Sequence, residues 1–475
     1  MVHFALTNGE WAATAAAIVA IGQWLLIPRL LAQRSKTPNA TLAWLWALLL
    51  FPAVGGLLYM LIGSERVTRR RLALAQALDQ RLSEGPCPNA PSAAPCALNM
   101  PELARVNGFP PTGGNAVDLL PDGTAFFPVL LDVIDTARHH LHLEFYIWRS
   151  DRAGRMVLAA LTRAAQRGVR VRILVDEMGS LTLLRRFFAP LLKAGGTFSW
   201  FHTFSPRRGR FHLNLRNHRK LLIADGTTAL TGGMNIGDEY WGGAGTLPYR
   251  DLGVRLRGPT VTQLAEIFAQ DWYFATGEAL TNPALYPHVP PAGDVATQVV
   301  PGAPDNEVDE IQLTTLALIH RATRQIRLMT PYFVPEPPLL AALQLAAMRG
   351  VDVALLVPEK CDHFYLTHVM RSYYHDLLPH GVRIFEYQPR MLHAKVLTVD
   401  GLHTMTGSAN LDIRSLRINF ELNVLLASPA TTAMVDRIFD GNAADAHPVL
   451  PAEFDRRPFR HKMAEALFRP IAPLL

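Results

Sequence analysis

Two stretches of the chain carry the same five residue types at the same spacing. The steps between successive members are two, five, seven and three residues in both copies, which are His218, Lys220, Asp225, Gly232 and Asn235, and His393, Lys395, Asp400, Gly407 and Asn410. Each residue type makes up only a few per cent of ordinary sequences, so a given His is followed by the other four with odds of roughly one in 10^5. The repetition therefore indicates a duplicated functional site.

A histidine and a lysine two residues apart, presented twice, suit phosphoryl chemistry. Residues two apart on a strand project from one face, so each copy is expected to present an imidazole beside an ammonium. A neutral imidazole is a nucleophile toward phosphorus near pH 7, and a second, protonated imidazole can donate to the leaving oxygen. Two lysines, with Asn235 and Asn410, can stabilise charge on the non-bridging oxygens. Each copy contains only one histidine and cannot supply both the nucleophile and the proton donor. Both copies must therefore meet at one phosphate.

Asp225 and Asp400 allow two interpretations. Each ends an apolar run and is followed by glycine, and the dipeptide Asp-Gly favours a tight hairpin turn. The two residues are therefore either catalytic members of the site or turn residues that hold the strand geometry.

The elements that must position these residues alternate between helices and strands, which is typical of an α/β fold. The pattern predicts helices over 125–137, 154–166, 310–322 and 339–348, and strands over 141–148, 169–175 and 326–333. Arg167-Gly168-Val169 returns as Arg349-Gly350-Val351, at nearly the same separation along the chain as that between the two motif histidines. This near-constant offset predicts that a whole half is duplicated, with the Pro-rich segment 283–304 between the halves.

The N-terminal segment 1–64 is apolar enough to interact with a bilayer. Residues 11–28 are almost free of polar side chains, and residues 41–63 carry no charge over a length that spans the roughly 30 Å hydrocarbon core. Two buried core helices are the alternative, but we favour a two-helix transmembrane hairpin. Basic residues follow both segments, and their count leans toward cytoplasmic catalytic domains on the cell (inner) membrane.

Residues 65–84 have the pattern of a basic helix, and residues 85–99 have the composition of a linker. The predicted domains are therefore a hairpin over 1–64, a basic helix and linker over 65–110, and two catalytic halves over 111–290 and 291–475.

The composition narrows the classes of partner and cofactor. Charged residues make up 18% and hydrophobic residues 49% of the 475-residue chain, and its net charge is +6. This balance favours an anionic membrane surface or a phosphate-bearing partner, with nucleic acid as the competing class. The three cysteines have no metal-ligand spacing, so no structural zinc, other metal or cofactor is expected.

The two copies resemble the paired HxKxxxxD motifs of the phospholipase D superfamily. The surrounding residues resemble those of bacterial cardiolipin synthases with two motifs and a membrane hairpin. The matching sequence segments are Arg216 to Lys220, Gly232 to Tyr240, Thr330 to Pro335, Asp412 to Leu416, Asn419 to Glu421 and Ile471 to Leu475. This resemblance covers nearly the whole chain, and it implies two α/β/α halves related by a pseudo-two-fold axis.

The same resemblance implies a metal-free, two-step transfer between two phosphatidylglycerol molecules through a phosphatidyl-histidine, with His218 favoured as the nucleophile. Carboxylates that orient the two histidines are expected at Asp251 and Glu421, and we assign Asp251 to His218 and Glu421 to His393. A hydrolytic phospholipase D or a phosphodiester nuclease would use the same residues, and a non-catalytic membrane scaffold is the alternative outside enzymes. The predicted hairpin favours lipid over nucleic acid, and the oligomeric state is open.

Overall fold

The computed structural model describes residues 22, 24–32, 38–59, 98, 109–201, 204–205, 210–211, 215–243, 247–304 and 308–474. They fall into two compact units. The smaller unit comprises Met1–Leu72 and His202–Leu215, and the larger comprises Ala73–Phe201 and Arg216–Leu475.

The smaller unit contains helical residues over 24–31, the helices Pro38–Leu50 and Pro52–Leu58, and a pair of two-residue strands, Phe204–Ser205 and Arg210–Phe211. The sequence predicts one uninterrupted apolar span over 41–63, but the helix that begins at Pro38 ends before Phe51. Proline is tolerated in the first turn of a helix and disrupts a helix interior, which accounts for a new helix starting at Pro52. Among the described residues, no helix combines the length and the apolar character needed to cross a bilayer.

Three predicted segments of the N-terminal region lie largely or wholly outside the described residues. They are the greater part of the apolar segment 11–28, the basic helix over 65–84, and nearly all of the linker over 85–99. The end of the second apolar segment, residues 60–63, is also outside them.

The larger unit is built on one sheet of 15 strands. In chain order they are β1 Thr112–Pro121, β2 His140–Phe145, β3 Arg170–Asp176, β4 Thr197–Phe201, β5 Leu221–Ala224, β6 Thr228–Gly232, β7 Leu252–Arg257, β8 Val295–Gly302, β9 Gln325–Met329, β10 Asp352–Pro358, β11 Arg383–Tyr387, β12 Val396–Val399, β13 His403–Gly407, β14 Glu421–Ala427 and β15 Ala446–Pro448. A separate two-stranded pair joins Phe333–Val334 to Leu411–Asp412.

The strand order is palindromic. Across the sheet it runs β15-β11-β10-β9-β12-β13-β14-β8-β1-β7-β6-β5-β2-β3-β4, so that, apart from the edge strand β15, the order from β11 to β8 mirrors that from β4 to β1. The halves meet where β1 pairs antiparallel with β8. A two-fold axis between β1 and β8 would produce this arrangement, in agreement with the predicted duplication.

The helices cover the faces of this sheet. Their bounds are Asp122–Thr136, Arg152–Gln166, Ala189–Lys193, Asp238–Trp241, Thr260–Thr276, Glu310–Arg321, Pro337–Met348, Phe364–Ser372, Tyr374–Leu377, Pro429–Ala444, Pro451–Asp455 and Phe459–Phe468, with a π-helical turn at Arg414–Ile418. The four predicted helices and three predicted strands are confirmed, with ends that differ by a few residues. The predicted strand over 326–333 divides, because its last residue belongs to the separate pair. Each half has its own apolar core, around Leu143 and Ile173 in the first and Leu328 and Leu355 in the second.

The topology places the motif segments at one edge of the parallel strands. In β5, Leu221 pairs with Glu144 and Ala224 pairs with Leu141, so β5 runs antiparallel to β2. The residues before Leu221 therefore lie beyond the carboxyl end of β2, where open α/β sheets commonly bind ligands. In the second half, β12 is related to β9 in the same way.

Candidate active site

The two HxK motifs lie in extended segments that immediately precede β5 and β12, and not on strands as the spacing predicts. His218 donates its backbone N–H to the carbonyl of Phe420 (2.8 Å), and Phe420 donates to the carbonyl of Arg216 (2.8 Å). His393 in turn donates its N–H to the carbonyl of Arg250 (2.7 Å). Each motif is therefore held in place by a segment of the other half.

The carboxylate partners of the histidines are exchanged between the halves. His218 Nδ1 lies 2.9 Å from the Glu421 carboxylate, and His393 Nδ1 lies 2.7 Å from Asp251 Oδ2. The assignment of Asp251 to His218 and of Glu421 to His393 is therefore wrong. Glu421 begins β14, and Asp251 immediately precedes β7. The residue before each carboxylate, Phe420 or Arg250, forms backbone hydrogen bonds with the motif segment of the opposite half. The backbone pairing at this seam places the partner across it.

Both motif lysines are buried next to their histidines. Lys220 Nζ donates to the backbone carbonyl of His218 (2.5 Å) and lies 5.5 Å from the centre of the Tyr146 ring. Lys395 Nζ bonds to the carbonyl of His393 and lies 2.9 Å from its Nδ1. Burial lowers the pKa of Lys220 to about 7 and that of Lys395 to about 8, and Lys395 contributes to the lowering at Lys220. The weakly hydrated ammonium groups are suited to bind an anion.

Both imidazoles favour the neutral form. Burial lowers the pKa of His218 to about 4, although Glu421 opposes this shift. Burial also holds the pKa of His393 well below its ordinary value, with further contributions from Lys395, Lys220 and His218. Because the charges of His218 and Lys220 both lower the pKa of His393, the two motifs lie at one site. A carboxylate at Nδ1 keeps the proton there, so Nε2 presents its lone pair.

The two carboxylates differ in their surroundings. Burial raises the pKa of Asp251 to about 7, while Leu252 donates its N–H to the carboxylate (2.7 Å). Burial opposes ionisation of Glu421 as well, but His218, Lys220 and the Ser408 hydroxyl outweigh it and lower the pKa. Glu421 is therefore anionic near neutral pH, and an arriving phosphodiester anion would raise the proton affinity of either imidazole.

The side chains of the two asparagines, Asn235 and Asn410, are buried. Asn235 accepts the N–H of Ile147 (3.0 Å) and donates to the Tyr240 hydroxyl (2.8 Å), and the Tyr240 ring lies 5.3 Å from that of His393. Asn410 donates to Asp412 (3.1 Å), and its Oδ1 accepts no hydrogen bond from any described residue. Phosphate binding by Asn235 and Asn410 stays a prediction.

Asp225 and Asp400 lie outside the site, so their assignment as catalytic members is wrong. Asp225 and Gly226 have φ angles of 53° and 65°, and Asp400 and Gly401 have 54° and 69°, which are the values of a type I′ hairpin turn. The Asp225 carboxylate accepts three backbone N–H groups from residues 138–140 at 2.7–2.9 Å, and Asp400 does the same with residues 323–325. The strand between Lys220 and Asp225 separates them by about 16 Å at 3.3 Å per residue.

Sequence reasoning missed the structural role of Arg219, a buried arginine within the first motif. Arg219 projects to the opposite side from His218 and Lys220, and it donates to Asp271 (2.6 Å) and to the backbone carbonyls of Glu421 (3.0 Å) and Gly302 (3.1 Å). Arg219 thus connects a helix of the first half to the residue that bonds His218. The signal in the sequence is that Arg219 has only an alanine, Ala394, as its counterpart in the second motif.

Comparison with known protein families identifies two matches along the chain. The family described as "Cardiolipin synthase, PLD-like domain" matches residues 130–272 and 315–442. The family described as "Phospholipase_D-nuclease N-terminal" matches residues 15–64.

Full-length similarity extends to individual proteins. The chain is 35% identical to a cardiolipin synthase of Geobacillus kaustophilus, over 99% of this chain and 96% of that protein. It is 34% identical to the major cardiolipin synthase ClsA of Bacillus subtilis, over 92% of this chain and 94% of that protein. The crystal structure of a phosphatidylserine synthase of Haemophilus influenzae has a TM-score of 0.59 at 14% identity, covering 79% of this chain and 97% of the other. That structural similarity concerns the fold alone.

Proposed function

Because the chain belongs to the cardiolipin synthase family, we propose that it transfers a phosphatidyl group from one phosphatidylglycerol to a second and releases glycerol. The observation that carries this proposal is the composite site. It contains two histidines, His393 buried and His218 partly buried, each with a carboxylate at Nδ1 and a lysine beside it, and each completed by the other half. Such a pair can supply a nucleophile and a proton donor to one phosphate.

The reaction proceeds by exchange of one phosphodiester for another. In the first step, Nε2 of one histidine attacks phosphorus, the bond from phosphorus to the glycerol oxygen breaks, and the other histidine protonates that oxygen. In the second step, a hydroxyl of the second phosphatidylglycerol gives its proton to that same histidine and attacks phosphorus. The bond from phosphorus to nitrogen breaks, and cardiolipin leaves. Lys220 and Lys395, with Asn235 and Asn410, stabilise the charged oxygens in both steps.

The roles of the orienting residues follow from their contacts. Glu421 and Asp251 each hold one imidazole in the tautomer that exposes Nε2, and each stabilises the imidazolium when it forms. Because the bond broken and the bond formed are both phosphodiesters, no nucleotide is required and the exchange is close to balanced.

We also propose that residues 1–64 anchor the enzyme in the cell membrane as a hairpin, with the catalytic unit in the cytoplasm. The support is a high density of exposed apolar side chains in the described N-terminal residues, namely Trp24, Leu25, Leu31, Leu42, Trp46, Leu49, Leu50, Phe51, Val54 and Leu57. Leu30, Leu48 and Tyr59 are buried together, as expected of two segments that pack side by side. Resistance to carbonate extraction, with the catalytic unit protected from protease in intact spheroplasts, is the expected result. Release by carbonate contradicts the anchor, and cleavage in spheroplasts contradicts the orientation.

The activity is tested with purified full-length enzyme and labelled phosphatidylglycerol in mixed micelles. Cardiolipin and glycerol are expected in equal amounts, and both His218→Ala and His393→Ala are expected to abolish them. Phosphatidic acid as the sole product would indicate a hydrolase, and cleavage of single-stranded DNA in its place would indicate a nuclease.

A further inference from the structure

The C-terminal helix, Phe459–Phe468, presents an apolar face to the outside of the larger unit. Phe459, Met463 and Leu467 follow one another at intervals of four residues and therefore form a row along one side of the helix. Phe459 and Leu467 are 73% and 70% exposed and Met463 is also exposed, whereas Glu465, on the opposite side, is buried. The row is about 12 Å long at 1.5 Å per residue.

This apolar row reaches the helix Phe364–Ser372. The Phe468 ring, at the end of the C-terminal helix, lies 5.9 Å from the Phe364 ring and 5.6 Å from the His368 ring. Phe364 is itself 71% exposed. Because Leu467 and Phe468 are consecutive, the exposed apolar surface extends from the C-terminal helix to Phe364. A continuous apolar surface of this kind is typical of an interaction site.

Phe364 belongs to a segment that borders the candidate active site. This segment follows the carboxyl end of β10, which is parallel to β9, so it lies at the same edge of the sheet as the segment that carries His393. Asp362, two residues before Phe364, accepts a hydrogen bond from the hydroxyl of Tyr332 (2.8 Å), and Tyr332 follows β9. Phe364 therefore lies at the rim of the site, on the side of the second half.

The first half carries exposed apolar side chains in the corresponding segment. Leu181 and Leu184 are exposed and follow β3, the counterpart of β10 in the palindromic sheet. Ser180 donates its hydroxyl to the backbone carbonyl of Tyr146 (3.1 Å), and the Tyr146 ring centre lies 4.8 Å from that of His218. Elements related by a two-fold axis lie at the same level along that axis, so one plane meets the corresponding segments of both halves.

Basic residues accompany the apolar side chains on both sides of the site. Arg460 directly follows Phe459, and Arg185 and Arg186 directly follow Leu184; all three arginines are exposed. Protein surfaces that bind a bilayer insert apolar side chains between the headgroups and the acyl chains, and place cations where they attract anionic headgroups. The charge and the apolar character of this surface therefore fit an anionic lipid bilayer.

We propose that the apolar rim, formed by Leu181, Leu184 and Phe364, and the exposed face of the C-terminal helix dock the larger unit on a bilayer that contains anionic phospholipid. This inference rests on the proposed function, in which both substrates are phosphatidylglycerol, an anionic lipid whose acyl chains lie in the bilayer. Docking at the rim brings the headgroups to the two motifs while the acyl chains remain in hydrocarbon. The docking surface includes no residue of the segment 1–64.

Spin labels on the full-length protein test the docking independently of enzymatic activity. The three native cysteines are replaced by alanine, and Leu467→Cys or Leu181→Cys supplies a single labelling site in protein reconstituted into phosphatidylglycerol vesicles. Oxygen concentrates in hydrocarbon, whereas a nickel chelate stays in water. A docked label is therefore expected to be several-fold more accessible to oxygen, and several-fold less accessible to nickel, than a label in water.

Met348→Cys is the matched control for the labels. Met348 is an apolar residue that is 67% exposed, but it precedes β10 and therefore lies at the opposite edge of the sheet from the site. Its label should remain accessible to nickel in the same vesicles.

A second measurement compares lipid in vesicles with dispersed lipid. The double variant Phe459→Gln with Leu467→Gln is expected to lower cardiolipin formation in vesicles by about 10- to 100-fold, the value of one fully buried apolar side chain. The reaction of short-chain phosphatidylglycerol, dispersed as single molecules, should be unchanged in the same variant. Met348→Gln should leave both reactions unchanged.

Three results would overturn the proposal. Labels at Leu467 and Leu181 that are as accessible to nickel as the control would leave this surface in water. Low accessibility to both reagents, or magnetic broadening between labels, would place another segment of this chain or a second copy on the surface. An equal loss of activity with vesicles and with dispersed lipid would mean that the two substitutions act on the fold. Labels that enter the bilayer in a protein that makes no cardiolipin would instead contradict the proposed function, so the two failures are distinguishable.

Discussion

Replacing Glu421 by glutamine tests the exchanged pairing at the centre of the site. The Glu421 side chain is fully buried and accepts hydrogen bonds from His218, Ser408 and Asn419. Asn419 donates to Oε1, whereas Ser408 and His218 both contact Oε2. In Glu421→Gln, an amide oxygen at the Oε1 position keeps the bond from Asn419, and the NH₂ group at the Oε2 position then faces His218 and the Ser408 hydroxyl, which can accept. The imidazole must then accept at Nδ1, which moves its proton to Nε2 and removes the lone pair that the reaction needs.

The expected loss of activity is large because the substitution changes the tautomer of His218 and does not merely remove one contact. A change of this kind in a serine protease triad lowers kcat by about 10^4-fold, or roughly 5.5 kcal/mol of transition-state stabilisation. We expect Glu421→Gln to lower kcat for cardiolipin formation by a similar factor, with the melting temperature within a few degrees of the unmodified protein. Glu386→Gln is the matched control, since Glu386 is a buried carboxylate bound to Arg371 away from the site.

Chemical modification by diethyl pyrocarbonate distinguishes this pairing from the alternative in which Asp251 pairs with His218 and Glu421 pairs with His393. The reagent reacts with neutral imidazole nitrogen, and its sites are mapped by mass spectrometry. Glu421→Gln should slow modification of His218 and leave His393 unchanged, and Asp251→Asn should do the reverse. Turnover by folded Glu421→Gln within about threefold of normal would refute the tautomer argument. Slower modification of His393 in that variant would refute the pairing.

The remaining predictions concern the turn at Asp225, the two motif lysines and Arg219. Asp225→Ala should destabilise the fold by about 2–4 kcal/mol, through three lost backbone hydrogen bonds and strain at positive φ, while the folded fraction keeps its kcat; chemical denaturation checks this, and Asp225→Asn should be milder. The three backbone N–H groups outweigh burial and depress the pKa of the Asp225 carboxyl, so this stabilisation should be complete above about pH 4 and lost as pH falls below it; unchanged acid stability in Asp225→Asn would contradict this. Because Lys220 and Lys395 have pKa values of about 7 and 8, kcat/KM should fall as pH rises through this range, since both lose charge; a profile that is flat to pH 9 would contradict it. Arg219→Ala should cost about 3–5 kcal/mol by leaving buried Asp271 without its guanidinium, and the double variant with Asp271→Asn should recover part of that loss in the same denaturation assay.

The duplication could be detected in the sequence because the two copies repeat the same residue types at the same spacing. Periodicity and the near-constant offset predicted an α/β fold in two halves, and the palindromic sheet agrees with that. The motif residues followed from the repeated spacing, and a carboxylate for each histidine was implied by the family resemblance. Asp225 was ambiguous for a local reason, because an Asp-Gly turn and a catalytic carboxylate have the same appearance in a sequence.

The sequence by itself identified the two histidines and two lysines that meet in the site and the class of chemistry for which they are suited. Only the tertiary structure decided how they are paired, because the partner of each histidine comes from the other half and is about 200 residues or about 140 residues away along the chain. The backbone bonds at the seam, and not distance along the chain, place Glu421 at His218 and Asp251 at His393.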